Sequence, residues 1–556
     1  MPEDTRYSLV KAARGEIPAD VVYNNAQIFN PFTCEWTQSS LAVKSGFIAG
    51  AGDYRGKKTF DLRGRRVVPG LIDAHVHVES SLLVPSEYAR LVSVHGTTTV
   101  IADPHEIANV CGAEGISFML SEREGLPIDI FYMLPSCVPA TPLDKGGAEL
   151  TARDLGEFIG KDGILGLAEM MNVPGVLNLD PDVWEKLSIS PLIDGHAPLL
   201  SGKDLNAYVA ADIQSDHECV SAEEAAEKLG LGMYIFAREG STEKNLSELV
   251  RIVTPCNCSR FCFATDDRHV DMLVRNGHID DCIRKAIEYG LEPELAIQMA
   301  TLNPCERFLL NDRGALAPGR LADFCVLKEG VSFEIEKVFK KGMMVERLPF
   351  RSSSCIRHTM KCSPLPADAL DIRGSGKVRV IGIVPNQILT ENLEFEIEGQ
   401  DIPDLERDII KAVVCSRYKD RSFARGLVHG FGLIKGAIAS SVSHDSHNIV
   451  AIGVDDTDIR RAVEVIIQNE GGMVAIHDRD MVLLPLACAG LMSELPYEEV
   501  YEKITSLNSR PLEWGSIADP FMYLSFLALT VIPHLRITDR GLFDVDSFSD
   551  VALFKA

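Results

Sequence analysis

From residue 66 to residue 311, short apolar runs alternate with amphipathic stretches. Strands and helices that take turns around a parallel sheet produce this pattern. Eight runs read as strands: RVVPGLIDAHVH, TTTVIADP, IDIFYMLPS, GILGLAEMM, SPLIDGHAP, AADIQSDHE, MYIFAREG and RFCFATDD. Between them lie helix-like segments such as PSEYARLVSVHG, SGKDLNAYVA, SAEEAAEKLG and STEKNLSELVRIV, several opening on a Ser or a first-turn acid that serves the free N–H groups of a helix start. Eight such repeats in about 245 residues fit a distorted (β/α)8 TIM barrel, so the expected fold class is α/β.

The flanks read differently. Residues 1–65 carry short strand-like pieces (VVYNNAQIF, LAVKSGFIAG, KTFDLRG), and residues 312–350 have the same β-rich character. The two flanks are expected to pair into one small discontinuous β-sandwich domain. Residues 351–556 open on the connector RSSSCIRHTMKCSPLPADAL and continue with apolar runs of their own (GKVRVIGIVP, HNIVAIGV, RRAVEVIIQ), which predicts a separate C-terminal α/β or α+β domain. The most apolar late stretch, Phe521 to Pro533, is too short to span a bilayer. The glycine pairs in HGFG and at Gly471 and Gly472 lack the context of a phosphate loop and read as turns.

Composition narrows the partners. The 556 residues include 55 Lys and Arg against 80 Asp and Glu, a formal charge of −25 that repels polyanions and anionic lipid. Neither nucleic acid nor a membrane is expected as a partner. The start, MPEDTRYSLVKAARGEIP, lacks the layout of a secretory signal, and most of the 14 cysteines sit singly in apolar runs, so the chain is read as cytoplasmic with reduced thiols. Cys256, Cys258 and Cys262 match no common metal spacing and read as packing residues.

Barrel enzymes carry their chemistry at the C-terminal ends of the strands. Strand 1 ends in His75-Val76-His77, where the period of two sets both imidazoles on one side. Strand 2 ends in Asp103-Pro104-His105-Glu106, strand 4 in Glu169, strand 5 in His196, strand 6 in His217-Glu218 and strand 8 in Asp266-Asp267. One histidine at a strand end is ordinarily a hydrogen-bonded structural residue. Four histidines and two carboxylates at the same ends of five strands form a ring, and imidazole with carboxylate suits zinc, manganese or iron. His95, His269 and His278 fall on helix-like or loop segments and read as structural or solvent-facing.

The HxH of strand 1, the carboxylate of strand 4, the histidines of strands 5 and 6 and the Asp of strand 8 resemble the amidohydrolase superfamily. MATLNPCERF followed by GALAPGRLADFCVL resembles the post-barrel signature of those enzymes. Within the superfamily the chain looks most like the bacterial-type adenine deaminases, on PGLIDAHVHVESS, TTTVIADPHEIANV, DGHAP, SDHE, ASSVSHDSHNIVAIG and LPLACAGLMS. The resemblance implies hydrolysis of adenine to hypoxanthine and ammonia at two divalent metal ions, Mn2+ or Fe2+ with Zn2+ as the alternative, in a homo-oligomer. It implies that His75, His77 and Asp266 hold one metal, that His196 and His217 hold the other, and that Glu169 bridges them.

Asp266 is then the natural proton carrier. A second carboxyl group is expected beside the metals, Glu218 first and Glu106 second. Asp103 and His105 are open between ligand, orienting group and substrate contact. The segment Ser443-His444-Asp445-Ser446-His447-Asn448 resembles a family signature, which gives His444, Asp445 and His447 an expected place near the site. The nearest rival, a cyclic amide hydrolase of the dihydroorotase or hydantoinase type, often bridges its metals with a carboxylated lysine on strand 4. Here strand 4 offers Glu169, and the nearest lysine, Lys161, precedes the strand.

Overall fold

The structure is a computed structural model that describes every residue except 142–144, 242–243, 331–332, 347, 386, 388, 399–401, 419–421 and 556. Eight parallel strands form the barrel: Leu71–Val76, Thr97–Ala102, Asp129–Leu134, Ile164–Met170, Ile193–Gly195, Ser215–Asp216, Tyr234–Arg238 and Phe261–Ala264. They pair as one arc of five and one of three. At one seam Val76 bridges Asp266, with the Asp266 N–H donating to His75 O at 3.0 Å and the His77 N–H to Asp266 O at 3.2 Å. At the other, the Gln214 N–H donates to Ile193 O at 3.2 Å. Strands five and six are three and two residues long, because the chain leaves the extended conformation just where His196 and His217 turn into the mouth.

The barrel floor is filled by Ile72, Ile101, Met133, Ala168, Phe236 and Cys262, each from a different strand, with Phe308 beneath them. This packing explains a feature that simple alternation leaves unresolved. Ile72 and Ala74 both belong to the interior cluster, so strict alternation would turn His75 outward. The pairing with the second strand is irregular between Asp73 and Val76. That irregularity changes the face, bringing His75 and His77 to the mouth and packing Val76 outside the floor.

The flanking strands Ala19–Asn30, Glu35–Lys44, Phe47–Ala51, Gly56–Asp61 and Arg66–Pro69 join Phe324–Leu327, Ile335–Lys340 and Met343–Met344 in one sheet. Its core holds Tyr23, Phe324 and Phe339, the last two stacked with centroids 4.4 Å apart. Arg313 and Lys340 reach from this side to Asp129 at the start of the third barrel strand, at 2.6 and 2.7 Å, and tie sheet to barrel.

The C-terminal region is built on a largely antiparallel sheet of eight strands, which makes it α+β. Helix Asp456–Gln468 opens on Asp455, whose carboxylate accepts from the N–H groups of Thr457 and Asp458, and it buries Ile459, Val463 and Ile466. The other face of the sheet shares one apolar core with the barrel, in which Leu82, Tyr88 and Leu91 meet Ile438, Leu491 and Leu524. Among the described residues, no helix is long and apolar enough to cross a membrane.

Candidate active site

The barrel mouth gathers the strand-end residues into one buried group. His75 and His77 approach through their Nε2 atoms at 3.2 Å. Asp266 Oδ1 lies 3.3 Å from His75 Nε2 and 3.0 Å from His77 Nε2. To place its carboxylate there Asp266 adopts a left-handed φ of 54°, a conformation that Asp tolerates better than most residues. Glu169 occupies the middle: Oε2 is 2.9 Å from His196 Nδ1 and 3.2 Å from His217 Nε2, while Oε1 is 3.4 Å from His77 Nε2. His105, at the first turn of helix His105–Cys111, points Nδ1 at Glu169 (3.4 Å) and Asp103 (3.3 Å).

Three overlapping donor sets result: His75 with His217 and Asp266, Glu169 with His196 and His217, and His77 with Asp103, His105 and Glu169. The second brings together the residues for which the resemblance implies a ligand pair and a bridge. In the others, His75 is gathered with His217 as well as Asp266, and His105 with Asp103 stands within reach of Glu169.

Electrostatics favour a cation at the centre. Burial pushes Glu169 upward, but the hydrogen bonds and charges of His196 and His217 hold it well below the usual carboxylate range. Asp266 is likewise held low against burial, by Arg238 first and then by His75 and His77. Burial disfavours a charged His217, yet Glu169 and Asp266 lift it to about 9. For His105, burial and His77 oppose the charge, and Asp103 with Asp445 outweighs them to reach about 10. Imidazoles drawn toward their charged form by converging carboxylates mark a pocket of negative potential, where divalent ions replace protons. A donor set of nitrogen and carboxylate oxygen fits transition metals.

Around this group stand the residues suited to proton transfer. Glu218 pairs with Arg238 through both carboxylate oxygens, one of them 3.1 Å from Nη2, and Arg238 Nη1 donates to Asp266 Oδ2 at 2.7 Å. Glu218 also lies 3.5 Å from His217 Nε2 and, just past its short strand, faces the cavity. Glu106 accepts from the Ser80 hydroxyl at 2.6 Å, and the same hydroxyl meets Asp267. Burial pushes Glu106 up to about 8, with Asp267 and Glu79 adding to it.

The C-terminal segment meets the mouth directly. His444 Nδ1 is 3.5 Å from Glu106 and Asp445 Oδ1 is 4.0 Å from His105 Nε2. Burial lowers His444 to about 4. His447 is fully buried behind them, its Nδ1 accepting from the Ser443 N–H at 3.3 Å, and it does not line the cavity.

The cavity at the mouth spans about 530 Å³, including space open to solvent. Of the residues singled out from the sequence, His77, His105, Glu169, His196, His217, Glu218, Asp266, His444 and Asp445 line it. His75, Asp103 and Glu106 stand immediately behind. Sequence reasoning missed Arg238, whose signal was a charged residue closing the apolar strand MYIFAR, and the apolar roof of Phe526, Leu529, Val531 and Ile532. His278 is buried, not solvent-facing, with Nε2 3.0 Å from Asp73 and Nδ1 2.7 Å from the Thr97 hydroxyl. Asp73 in turn accepts from the His75 and Thr265 N–H groups, so this network holds strands one and eight in place. Cys258 and Cys262 are core residues, and Cys256 is exposed. Lys161 lies over the Phe158 ring at 4.0 Å, outside the cavity lining.

Comparison with known proteins adds two matches to family models, Amidohydrolase family over residues 66–345 and Adenine deaminase C-terminal domain over residues 387–549. The adenine deaminase of Methanoregula boonei is 57% identical over 98% of each chain. That of Methanoculleus marisnigri is 58% identical over 93% of this chain and 99% of its own. A crystal structure of an adenine deaminase aligns with TM-score 0.46 at 17% identity, covering 59% of this chain and 100% of that one.

Proposed function

The chain belongs to the adenine deaminases of the amidohydrolase family, and from that membership we infer that it hydrolyses adenine to hypoxanthine and ammonia. The observation that carries the reading is the ring of buried imidazoles and carboxylates centred on Glu169 and roofed by the C-terminal domain. Glu169 at the centre, where the rival hydrolases carry a modified lysine, also favours the deaminase.

His75, His77, His196, His217, Glu169 and Asp266 are the residues that would hold two divalent ions, Mn2+ or Fe2+, with His105 and Asp103 adjoining. When bound, the metal pair supplies a hydroxide nucleophile near neutral pH. Glu169, with histidines on both sides, is the carboxylate that would be shared between the two ions. Asp266, whose carboxylate Arg238 steadies, accepts the proton that water releases as its oxygen becomes the nucleophile for carbon 6. Departure of the amine requires that a proton be delivered to it. Glu218 faces the cavity beside His217 and is the second carboxyl for that role, passing on the proton released by the attacking water. Glu106 stands behind Asp267 and His444 and reaches the substrate only through them. Asp103 orients His105. The fourteen cysteines, all of them free, fit a reducing, cytoplasmic setting.

The test is loss of adenine absorbance on incubation with manganese-loaded protein. Turnover of dihydroorotate or hydantoin in place of adenine would overturn the reading.

A further inference from the structure

The cavity has two unlike halves. Apart from Met171, the barrel side is lined by ionisable residues, whereas Phe526, Leu529, Val531 and Ile532 face it from a single C-terminal segment. Membrane insertion does not explain this apolar run, and neither does a role in the barrel core, since Phe526 and Leu529 form a small cluster of their own with Met522.

The segment is clamped from behind. Arg536 is fully buried, and its guanidinium donates to Phe526 O at 2.8 Å, Ile532 O at 2.7 Å and Pro533 O at 2.8 Å. The Ile537 N–H donates to Leu527 O at 3.1 Å. On the cavity side the His444 ring stacks on Phe526 with centroids 4.8 Å apart, and the His444 N–H donates to Ser525 O at 2.9 Å. Those five carbonyls are engaged within the protein, and the residues of the segment that line the cavity, Phe526, Leu529, Val531 and Ile532, all carry apolar side chains.

We propose that Phe526–Ile532 is the specificity wall of this enzyme, accepting a bare aminopurine and rejecting one that carries a sugar on N9. The proposal rests on the adenine reading above. Carbon 6 of the purine must face the metal-ligand residues, so the N9 edge, on the far side of the bicyclic ring, is directed away from them toward the apolar roof. The ring faces and rim lose little on meeting carbon. A ribosyl group there would surrender the hydration of its hydroxyls to a surface of apolar side chains, and buried polar groups without partners weaken binding. Arg536 is a positioning residue that keeps the wall in register.

The experiment compares kcat/KM for adenine, 9-methyladenine and adenosine in the metal-loaded wild type, in Leu529→Ala/Ile532→Ala and in the milder Val531→Ala. Opening the wall is expected to raise the ratio of adenosine to adenine by about tenfold or more, and that of 9-methyladenine, which brings no hydroxyl to the wall, by less, with metal content unchanged. Arg536→Met is expected to raise KM for adenine more than it lowers kcat, and Arg536→Lys to restore part of the loss. An unchanged ratio in variants that retain fold and metal overturns the proposal. If wild-type protein fails to deaminate adenine, the activity reading falls by itself. Calorimetric binding of hypoxanthine against inosine then still reads the wall, and equal affinities would reject it.

Discussion

Asp266 satisfies three constraints at once: its backbone closes the barrel, its Oδ1 meets two histidines and its Oδ2 meets Arg238. Replacing it by Asn keeps the shape and removes the carboxylate proposed to accept the proton. Asp266→Asn is therefore expected to lose at least about 100-fold in kcat, with circular dichroism unchanged, and activity within tenfold of wild type would remove Asp266 from the proton-carrier role. A second single-residue prediction concerns Lys228, whose buried ammonium donates to Asp216 at 2.8 Å and to Ala197 O at 2.7 Å. Asp216 accepts the Ala197 N–H at 2.9 Å, so one ion pair fixes the loops carrying His196 and His217. Lys228→Met leaves Asp216 buried without its cation. A stability loss of about 3–5 kcal/mol in urea unfolding is the expected result, together with weaker metal retention. At this scale the sequence disclosed the donor types and their strand-end positions. It did not disclose Arg238 or Lys228, because a lone basic residue in an apolar or amphipathic run gives no sign of which distant carboxylate it meets.

Among the elements, the third barrel strand shows how the flanking sheet is attached. Burial raises Asp129 at its start, but Lys340 and Arg313 overcome that and hold it at about 2. A carboxyl depressed in the folded state contributes stability above its unfolded pKa, near pH 4, and the contribution is lost as pH falls toward 2. The depression corresponds to about 2 kcal/mol. Asp129→Asn should therefore flatten the stability profile between about pH 4 and 2, and an unaltered acid limb in a pH-dependent denaturation series would disprove that attachment. In the C-terminal domain, Ile459 is fully buried against the sheet, and Ile459→Ala should cost about 2–5 kcal/mol through the cavity it leaves, read by the unfolding midpoint. The alternation of apolar and amphipathic runs was enough to place the eight barrel strands, except that Arg66–Pro69, read as the start of the first, pairs in the flanking sheet. Their lengths at positions five and six, and the irregularity that reverses the first strand's face, depend on neighbours that local periodicity does not contain.

For the molecule as a whole, metal should act as a folding ligand. Two bound ions bridging residues from five strands are expected to raise the thermal midpoint, chelation to lower it and Mn2+ to restore it, with about two equivalents per chain by elemental analysis. A midpoint indifferent to chelation would argue against the binuclear centre. The sequence by itself determined the kind of molecule: a barrel by its periodicity, a ring of imidazoles and carboxylates able to hold metal by their recurrence at strand ends, and an acidic balance by composition. Those properties are local or additive, so they are written along the chain. Tertiary structure alone decided that Phe526–Ile532, more than 250 residues beyond Asp266 in the chain, covers the mouth of the barrel and that Arg536 holds it there. Apolar side chains declare that they will be buried, but the hydrophobic effect has no direction, and only the packed fold assigns them a partner.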